Sequence, residues 1–291
     1  MDINYELYKV FYHVANTLSF SEASKQLFIS QSAVSQSIKV LEKKLNQPLF
    51  IRSTKRVQLT PEGEILLKHI EPAMNLIRQG ENQLLEANTL NGGQLRIGAS
   101  DTICRYYLVS YLKDFHRRYP NVHIKVTNQT SIACAKLLES GQVDFAITNY
   151  PNSGLSNTQN VRIIREFKDV FVANDEYKEL KGKTVSLKDL KQFPILMLDR
   201  KSTTSEFLHS MFQRHQLDLV PEIELSSNDL LIDLARIGLG IAFVPDYCIP
   251  EDEQNLFIVH IEEDLPTRQI VVASNDSLPI SQAAKQFMEM L

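Results

Sequence analysis

The chain has 291 residues, 43% of them apolar, enough for a small module and a larger one with separate cores, and two or three domains are expected. Its formal charge is −4, yet residues 1–60 hold eight Lys/Arg against four Asp/Glu and the remainder 23 against 31. A basic amino-terminal module on an acidic body is the polarity that phosphate binding at one end requires. No run of 18 apolar residues occurs, and Met1-Asp2-Ile3-Asn4 is polar and acidic where a secretory leader is basic and then apolar. A spanning helix is thereby excluded and a cytoplasmic location expected.

Leu7, Val10, Phe11, Val14 and Leu18 recur at helical spacing, and Ser21 is placed to cap a short helix ending near Leu27. Across a tight turn, Ser30 is a good N-cap for a second helix whose Val34, Ile38, Leu41 and Leu45 face inward. The opposite face carries Ser32, Ser35, Gln36, Lys39 and Lys43, with Gln31 at its edge. Short hydroxyl and amide groups of this kind reach base edges and phosphates, so the pair reads as a helix-turn-helix with a recognition helix. Residues 48–52 and 57–59 are short extended segments flanking Ser53-Thr54-Lys55-Arg56. They predict a two-stranded wing with a cationic tip that suits the phosphate backbone or the minor groove.

The ordered string Ala23, Leu27, Ser30-Gln31-Ser32, Val34-Ser35, Ile38, Leu41-Glu42, Leu45, Pro48-Leu49-Phe50, Arg52, Leu59-Thr60 and Gly63 resembles, without gaps, the amino-terminal domain of LysR-type transcriptional regulators. Ser24 stands where that family often has a second alanine, and Asn46-Gln47 where it often has glycine. The resemblance implies a winged helix-turn-helix over residues 1–60 that contacts double-stranded DNA through Gln31, Ser32, Ser35, Gln36, Lys39, Arg52, Lys55 and Arg56. It also implies an interrupted palindrome as target, pairing into a homodimer or homotetramer, and contact with RNA polymerase.

Thr60-Pro61-Glu62 opens the next helix, expected over 61–88, with Thr as cap, Pro in the first turn and acids on the dipole. Leu66, Ile70, Ala73, Ile77 and Leu84 form an apolar stripe that needs a partner surface, and the resemblance implies a linker through which two subunits pair. Pro72 removes a helical hydrogen bond, so a kink or break is expected near residues 68–72.

After Asn91-Gly92-Gly93, strands alternate with helices in the βαβ rhythm of a parallel sheet: 95–99, 106–119, 122–127, 132–140 and 145–148. A second set comprises 161–173, 195–198, 204–215, 222–225, 229–237 and 241–244, followed by 269–273 and a final helix. Gly98-Ala99-Ser100, Phe115 with Tyr119-Pro120, Gly141-Gln142-Val143-Asp144-Phe145-Ala146-Ile147 and Gly238-Leu239-Gly240-Ile241-Ala242-Phe243-Val244-Pro245 resemble the effector domain of the same regulators. The fold class implied is α/β: a periplasmic-binding-protein-like effector domain over 94–291, with lobe I at about 94–163 and 268–291 and lobe II at about 164–267.

In open α/β sheets small molecules bind beyond the carboxyl ends of strands, where helix N-termini point free N–H groups into the crevice. Ser100, Asp101 and Thr102, then 128–131, Thr148 with Asn149, and 202–205 stand at those ends. An array of uncharged donors favours a small anion such as a carboxylate or sulfate. Ser100, Thr102, Thr130, Thr148 and Thr203 are the candidate contacts, each equally able to serve as an ordinary helix cap. Asp101 opposes an anion, while Arg200 or Lys201 would favour one. Cys104, Cys134 and Cys248 are too widely separated for a metal pair or a disulfide framework and read as buried thiols, so no metal or cofactor is expected.

The alternatives are a solute-binding module acting through protein partners, and a two-lobed enzyme using one of His69, His116, His123, His209 and His215. No nucleophile elbow, phosphate loop, dinucleotide fingerprint or metal spacing supports the latter.

Overall fold

The computed structural model describes residues 3–52, 56–87, 93–156, 159–275 and 278–291. The chain divides into two compact units: residues up to 88 with Ser140–Gln142, and the remainder.

In the amino-terminal unit, α1 (Tyr5–Thr17), α2 (Phe20–Leu27) and α3 (Gln31–Leu45) pack around Phe11, Val14, Ala23, Val34, Ile38 and Leu41, all fully buried. Each helix starts on a short polar cap: Asn4 accepts from the Glu6 N–H, Ser19 from Glu22 and Ser30 from Ala33. Ser19, two residues before the expected Ser21, caps α2. Leu18, Phe28 and Asn46 end the three helices at positive φ, so each helix stops within one residue and turns sharply.

Strands β1 (Phe50–Arg52) and β2 (Val57–Leu59) form the antiparallel wing. It is tied to α3 by Glu42, whose Oε1 accepts from the Leu49 N–H at 2.8 Å and the Phe50 N–H at 3.2 Å. Thr60 caps α4 (Pro61–Ala87) by accepting from the Gly63 N–H, and its hydroxyl donates to the Pro48 carbonyl at 2.7 Å. Gly63 is required there, since a Cβ would lie 2.3 Å from the Leu49 carbonyl oxygen.

The expected break at residues 68–72 does not occur: α4 is one helix with Pro72 inside it. The expected stripe also divides. Leu66 and Ile70 are half-buried against the amino-terminal core, whereas Ile77 is 57% and Leu84 71% exposed.

In the larger unit, β3 (Gly93–Ala99) leads into α5 (Asp101–Ile103), which continues through a π-turn (Cys104–Leu108) into α6 (Val109–Arg118). Then come β4 (Val122–Asn128), α7 (Ser131–Glu139), β5 (Phe145–Tyr150) and β6 (Gln159–Phe167). The second lobe holds β7 (Asp169–Ala173), β8 (Thr184–Val185), α8 (Leu187–Leu190), β9 (Ile195–Leu198), α9 (Thr203–Arg214), β10 (Ile223–Leu225), α10 (Asn228–Arg236), β11 (Ile241–Pro245) and β12 (Phe257–Ile261). The chain returns with β13 (Arg268–Asn275) and α11 (Gln282–Met290).

The first lobe's sheet has order β4-β3-β5-β13-β6 and the second's β10-β9-β11-β7-β12-β8. Each has a parallel core: β3 with β4 and β5, and β9 with β10 and β11. The strands where the chain crosses over run antiparallel to these cores: β13 against β5 and β6, and β7 against β11 and β12. Two expectations are corrected. Residues 161–173 are two strands in different sheets, because Lys168 separates β6 from β7, so lobe I extends to Phe167. The helix expected at 106–119 begins at Asp101, its first turns held by the Ser100 cap and the π-turn.

Glu42→Ala removes a charged acceptor from two backbone donors and should lower the unfolding free energy of the amino-terminal unit by about 2 kcal/mol. Glu42→Gln, which still accepts without the charge, should cost roughly half of that. Denaturant titration of the two variants checks the order.

Candidate functional site

Along α3, Gln31, Ser32, Gln36 and Lys39 are exposed and Ser35 half-exposed, while Val34, Ile38 and Leu41 on the other side are fully buried. The polar face is therefore presented as one surface. Ser32 shares a hydrogen bond with the cap Ser30, oxygen to oxygen 2.9 Å. Arg56, at the start of the second wing strand, is exposed. Lys55 lies outside the described residues, as does the side chain of Arg52, although its backbone ends β1.

In the larger unit a cavity of about 280 Å³ opens at the carboxyl ends of β3, β4, β5 and β9. Four helix starts surround it, and each is capped by a hydroxyl. Ser100 Oγ accepts from the Ile103 N–H, Thr130 Oγ1 from Ala133, Ser202 Oγ from Ser205, and Ser227 Oγ from Leu230. Ser100, Thr102, Thr130 and Thr203 line the cavity together. Thr148 does not. It is fully buried on β5 and its hydroxyl has no hydrogen-bond partner. Ser100 and Thr130 thus do serve as caps, which leaves each hydroxyl hydrogen available to an acceptor in the cavity.

Among the described residues no Lys or Arg lines this cavity, and Asp101 and Asp199 do. Arg200 is directed to Glu224 at 3.9 Å, and Lys201 is exposed outside the lining. Asp101 accepts from the Asn128 amide and Asp199 from the Lys201 N–H, so both carboxylates are engaged with local donors. The two lobes are fastened beside the cavity. Asn228 Nδ2 donates to Thr102 Oγ1 at 2.9 Å, and the Tyr106 hydroxyl donates to Asp229 at 2.6 Å. Farther along, Ser153 donates to both oxygens of Glu206.

The group that sequence reading missed lies behind the cavity wall. Arg268, 1% exposed at the start of β13, pairs with the fully buried Asp169 at the start of β7, Nη1 to Oδ2 2.6 Å. Burial pushes the Asp169 carboxyl above its usual range, and Arg268 pulls it partly back. The sequence signal is a charged residue at the head of a mainly apolar strand, in Asp169-Val170-Phe171-Val172-Ala173 and, with Gln269 between, in Arg268-Gln269-Ile270-Val271-Val272.

His209, on the helix next to the cavity, has its Nδ1 2.9 Å from the Ser205 carbonyl and is held within its own turn. The three cysteines are free thiols. Burial pushes Cys104 up to about 11 and Cys134 up to about 12, and it raises Cys248 as well.

The family model described as LysR substrate binding domain matches residues 88–291, and that of the bacterial regulatory helix-turn-helix protein, lysR family, matches residues 5–64. The chain belongs to the LysR family of transcriptional regulators. It is 31% identical over 277 residues to a probable RuBisCO transcriptional regulator of Gracilaria tenuistipitata var. liui, covering 92% of this chain and 89% of that one. The fold matches full-length CbnR complexed with its target DNA, at TM-score 0.65 and 18% identity over 99% of this chain and 98% of that one. It also matches the CcmR regulatory domain of Synechocystis PCC6803 in complex with 2-PG, at TM-score 0.62 and 20% identity over 68% of this chain and 95% of that domain. This regulator therefore joins a helix-turn-helix DNA-binding domain to an effector-binding domain. No helix among its described residues is long and apolar enough to cross a membrane.

Thiols raised from 9.0 to about 11 and about 12 hold little thiolate near neutrality. Alkylation of Cys104 in the folded regulator at pH 8 should therefore run about 100-fold slower than in the unfolded chain. Timed labelling read by mass spectrometry checks this; equal rates would contradict the burial argument.

Proposed function

We propose that this regulator binds an interrupted palindrome as a homodimer or homotetramer and changes its grip on DNA when a small anion occupies the 280 Å³ cavity. The observation that carries the reading is the cavity itself: four capped helix starts and a set of uncharged hydroxyls and amides around a space sized for a few heavy atoms. Helix N-termini favour negative charge, and cap hydroxyls that accept through one lone pair keep their hydrogen for an acceptor in the cavity. The class we favour is a compact carboxylate or phosphate ester. The CcmR regulatory domain, similar in fold, holds 2-PG, and the relatives named as RuBisCO regulators point to carbon-fixation genes as targets.

DNA contact is assigned to Gln31, Ser32, Ser35, Gln36 and Lys39 on the recognition helix and to Arg52, Lys55 and Arg56 on the wing. The helix residues can read base edges, whereas the wing cations can only attract phosphate. Ile77 and Leu84, exposed on one side of α4, supply an apolar stripe for a second copy of the helix. Two-fold pairing there would set two recognition helices on successive turns of the duplex. A protein that works on its own cell's DNA in this way acts in the cytoplasm.

Sequencing of genomic fragments bound by the purified regulator, with and without 2-PG, tests the reading. One palindromic motif whose occupancy depends on 2-PG supports it, and enrichment of no motif overturns it. Gln31→Ala or Ser35→Ala should reduce binding to that motif by about 1–3 kcal/mol per lost base contact while sparing random duplex. Arg56→Ala should weaken both alike and reduce the salt slope by about one. Gel-shift titrations at several salt concentrations separate the two patterns. Ile77→Glu with Leu84→Glu should convert the oligomer to monomers, as read by light scattering.

A further inference from the structure

Resting on the anion reading above, we infer that Arg268, although absent from the cavity lining, is the positioning residue that makes the cavity selective for an anion, acting through the hydroxyls of Thr203 and Thr204.

Both threonines line the cavity. Both also receive a hydrogen bond from the one guanidinium behind them: Nη1 donates to Thr204 Oγ1 at 3.1 Å and Nη2 to Thr203 Oγ1 at 3.1 Å. A hydroxyl that accepts from a cation has its own hydrogen turned away from that cation, because a hydrogen aimed at an N–H would repel it. That leaves each O–H free to turn toward the space that the two residues line. The guanidinium thus occupies one of the two lone pairs of each hydroxyl, biases its hydrogen toward the cavity and strengthens it as a donor through the shared hydrogen bond. A ligand oxygen that only accepts is favoured there over one that must donate.

The arrangement also answers a charge problem. The lining holds two aspartates and no cation among the described residues, so the helix N-termini supply the positive ends at the cavity and the guanidinium behind the wall adds to them. Asp169 occupies one side of Nη1, which leaves the pair's positive end on the threonine side. Phe167 and Phe207 lie over the guanidinium at 5.3 and 5.0 Å to the ring centroids, keeping it dry and in place. Arg268 further lines a second cavity of about 820 Å³, with Thr203 common to both, so the guanidinium and this hydroxyl form the partition between the two spaces.

The experiment uses the full-length regulator and two probes, 2-PG and inorganic sulfate, by calorimetric titration. Thr203→Val with Thr204→Val removes the donors. Asp169→Leu with Arg268→Met replaces the pair together, which avoids leaving one buried charge alone and keeps the fold testable by thermal melting. The inference expects both double variants to melt as folded proteins and to bind 2-PG at least tenfold more weakly than the natural chain. Unchanged affinity in a folded Asp169→Leu/Arg268→Met chain would overturn it, since a merely structural pair would be substituted by apolar packing. Binding of neither probe by the natural chain would overturn the anion reading and this inference together, whereas binding retained by the variants defeats the inference alone.

Discussion

Asp169 and Arg268 begin the two strands, β7 and β13, that follow the chain's passages between the two lobes, and they meet in a fully buried ion pair. Burying two charges costs several kcal/mol per ion unless geometry and further hydrogen bonds offset it. Here part of the compensation comes from elsewhere in the fold: the threonines that open α9 accept one hydrogen each from Nη1 and Nη2, and Phe167 and Phe207 cover the guanidinium faces, while Arg268 Nε and Asp169 Oδ1 have no hydrogen-bond partner. The pair therefore fixes the start of α9 relative to both crossover strands, and α9 brings Thr203 and Thr204 to the cavity. Packing, lobe geometry and the character of the site meet at one interaction.

The same economy governs the amino-terminal unit. Glu42 sits on the half-buried edge of the recognition helix and accepts from the first backbone donors of the wing. Thr60 both caps the linker helix and donates to the Pro48 carbonyl. The helix-turn-helix, wing and α4 are thus joined by two side chains at their junctions, while the polar face of α3 stays exposed.

Much of this was legible from residue pattern. The apolar stripes of α1 and α3, the Ser30 cap and the alternation of strands and helices after residue 93 each rest on local spacing, and local spacing is what a sequence displays. The structure departs from that reading at particular residues, for different physical reasons. Ser19 rather than Ser21 caps α2 through a local bond, accepting from the Glu22 N–H. The passage of α4 through Pro72 rests on tertiary packing: its first two turns are clamped by the Thr60 cap and the amino-terminal core, and the helix runs through its proline. The Asp169–Arg268 pair spans 99 positions and has no local signature beyond a charge at the head of an apolar strand. Asp144, read as part of a family motif, proves to hold Arg96 on the neighbouring strand through its backbone and side chain, so its role in the motif is structural. Thr148 was selected by its place at a strand end, but the pleat turns its side chain into the protein rather than toward the cavity.

The central claim is that cavity and operator are coupled, and coupling is reciprocal: whatever factor an effector adds to DNA affinity, DNA must add to effector affinity. The most direct test is the dissociation constant of 2-PG for the full-length regulator, alone and saturated with its operator duplex, set against the operator's affinity with and without 2-PG. The account predicts two equal factors, in the range of about 5 to 150 typical of such coupling. A 2-PG affinity that is the same with and without operator would contradict it, however tightly each is bound.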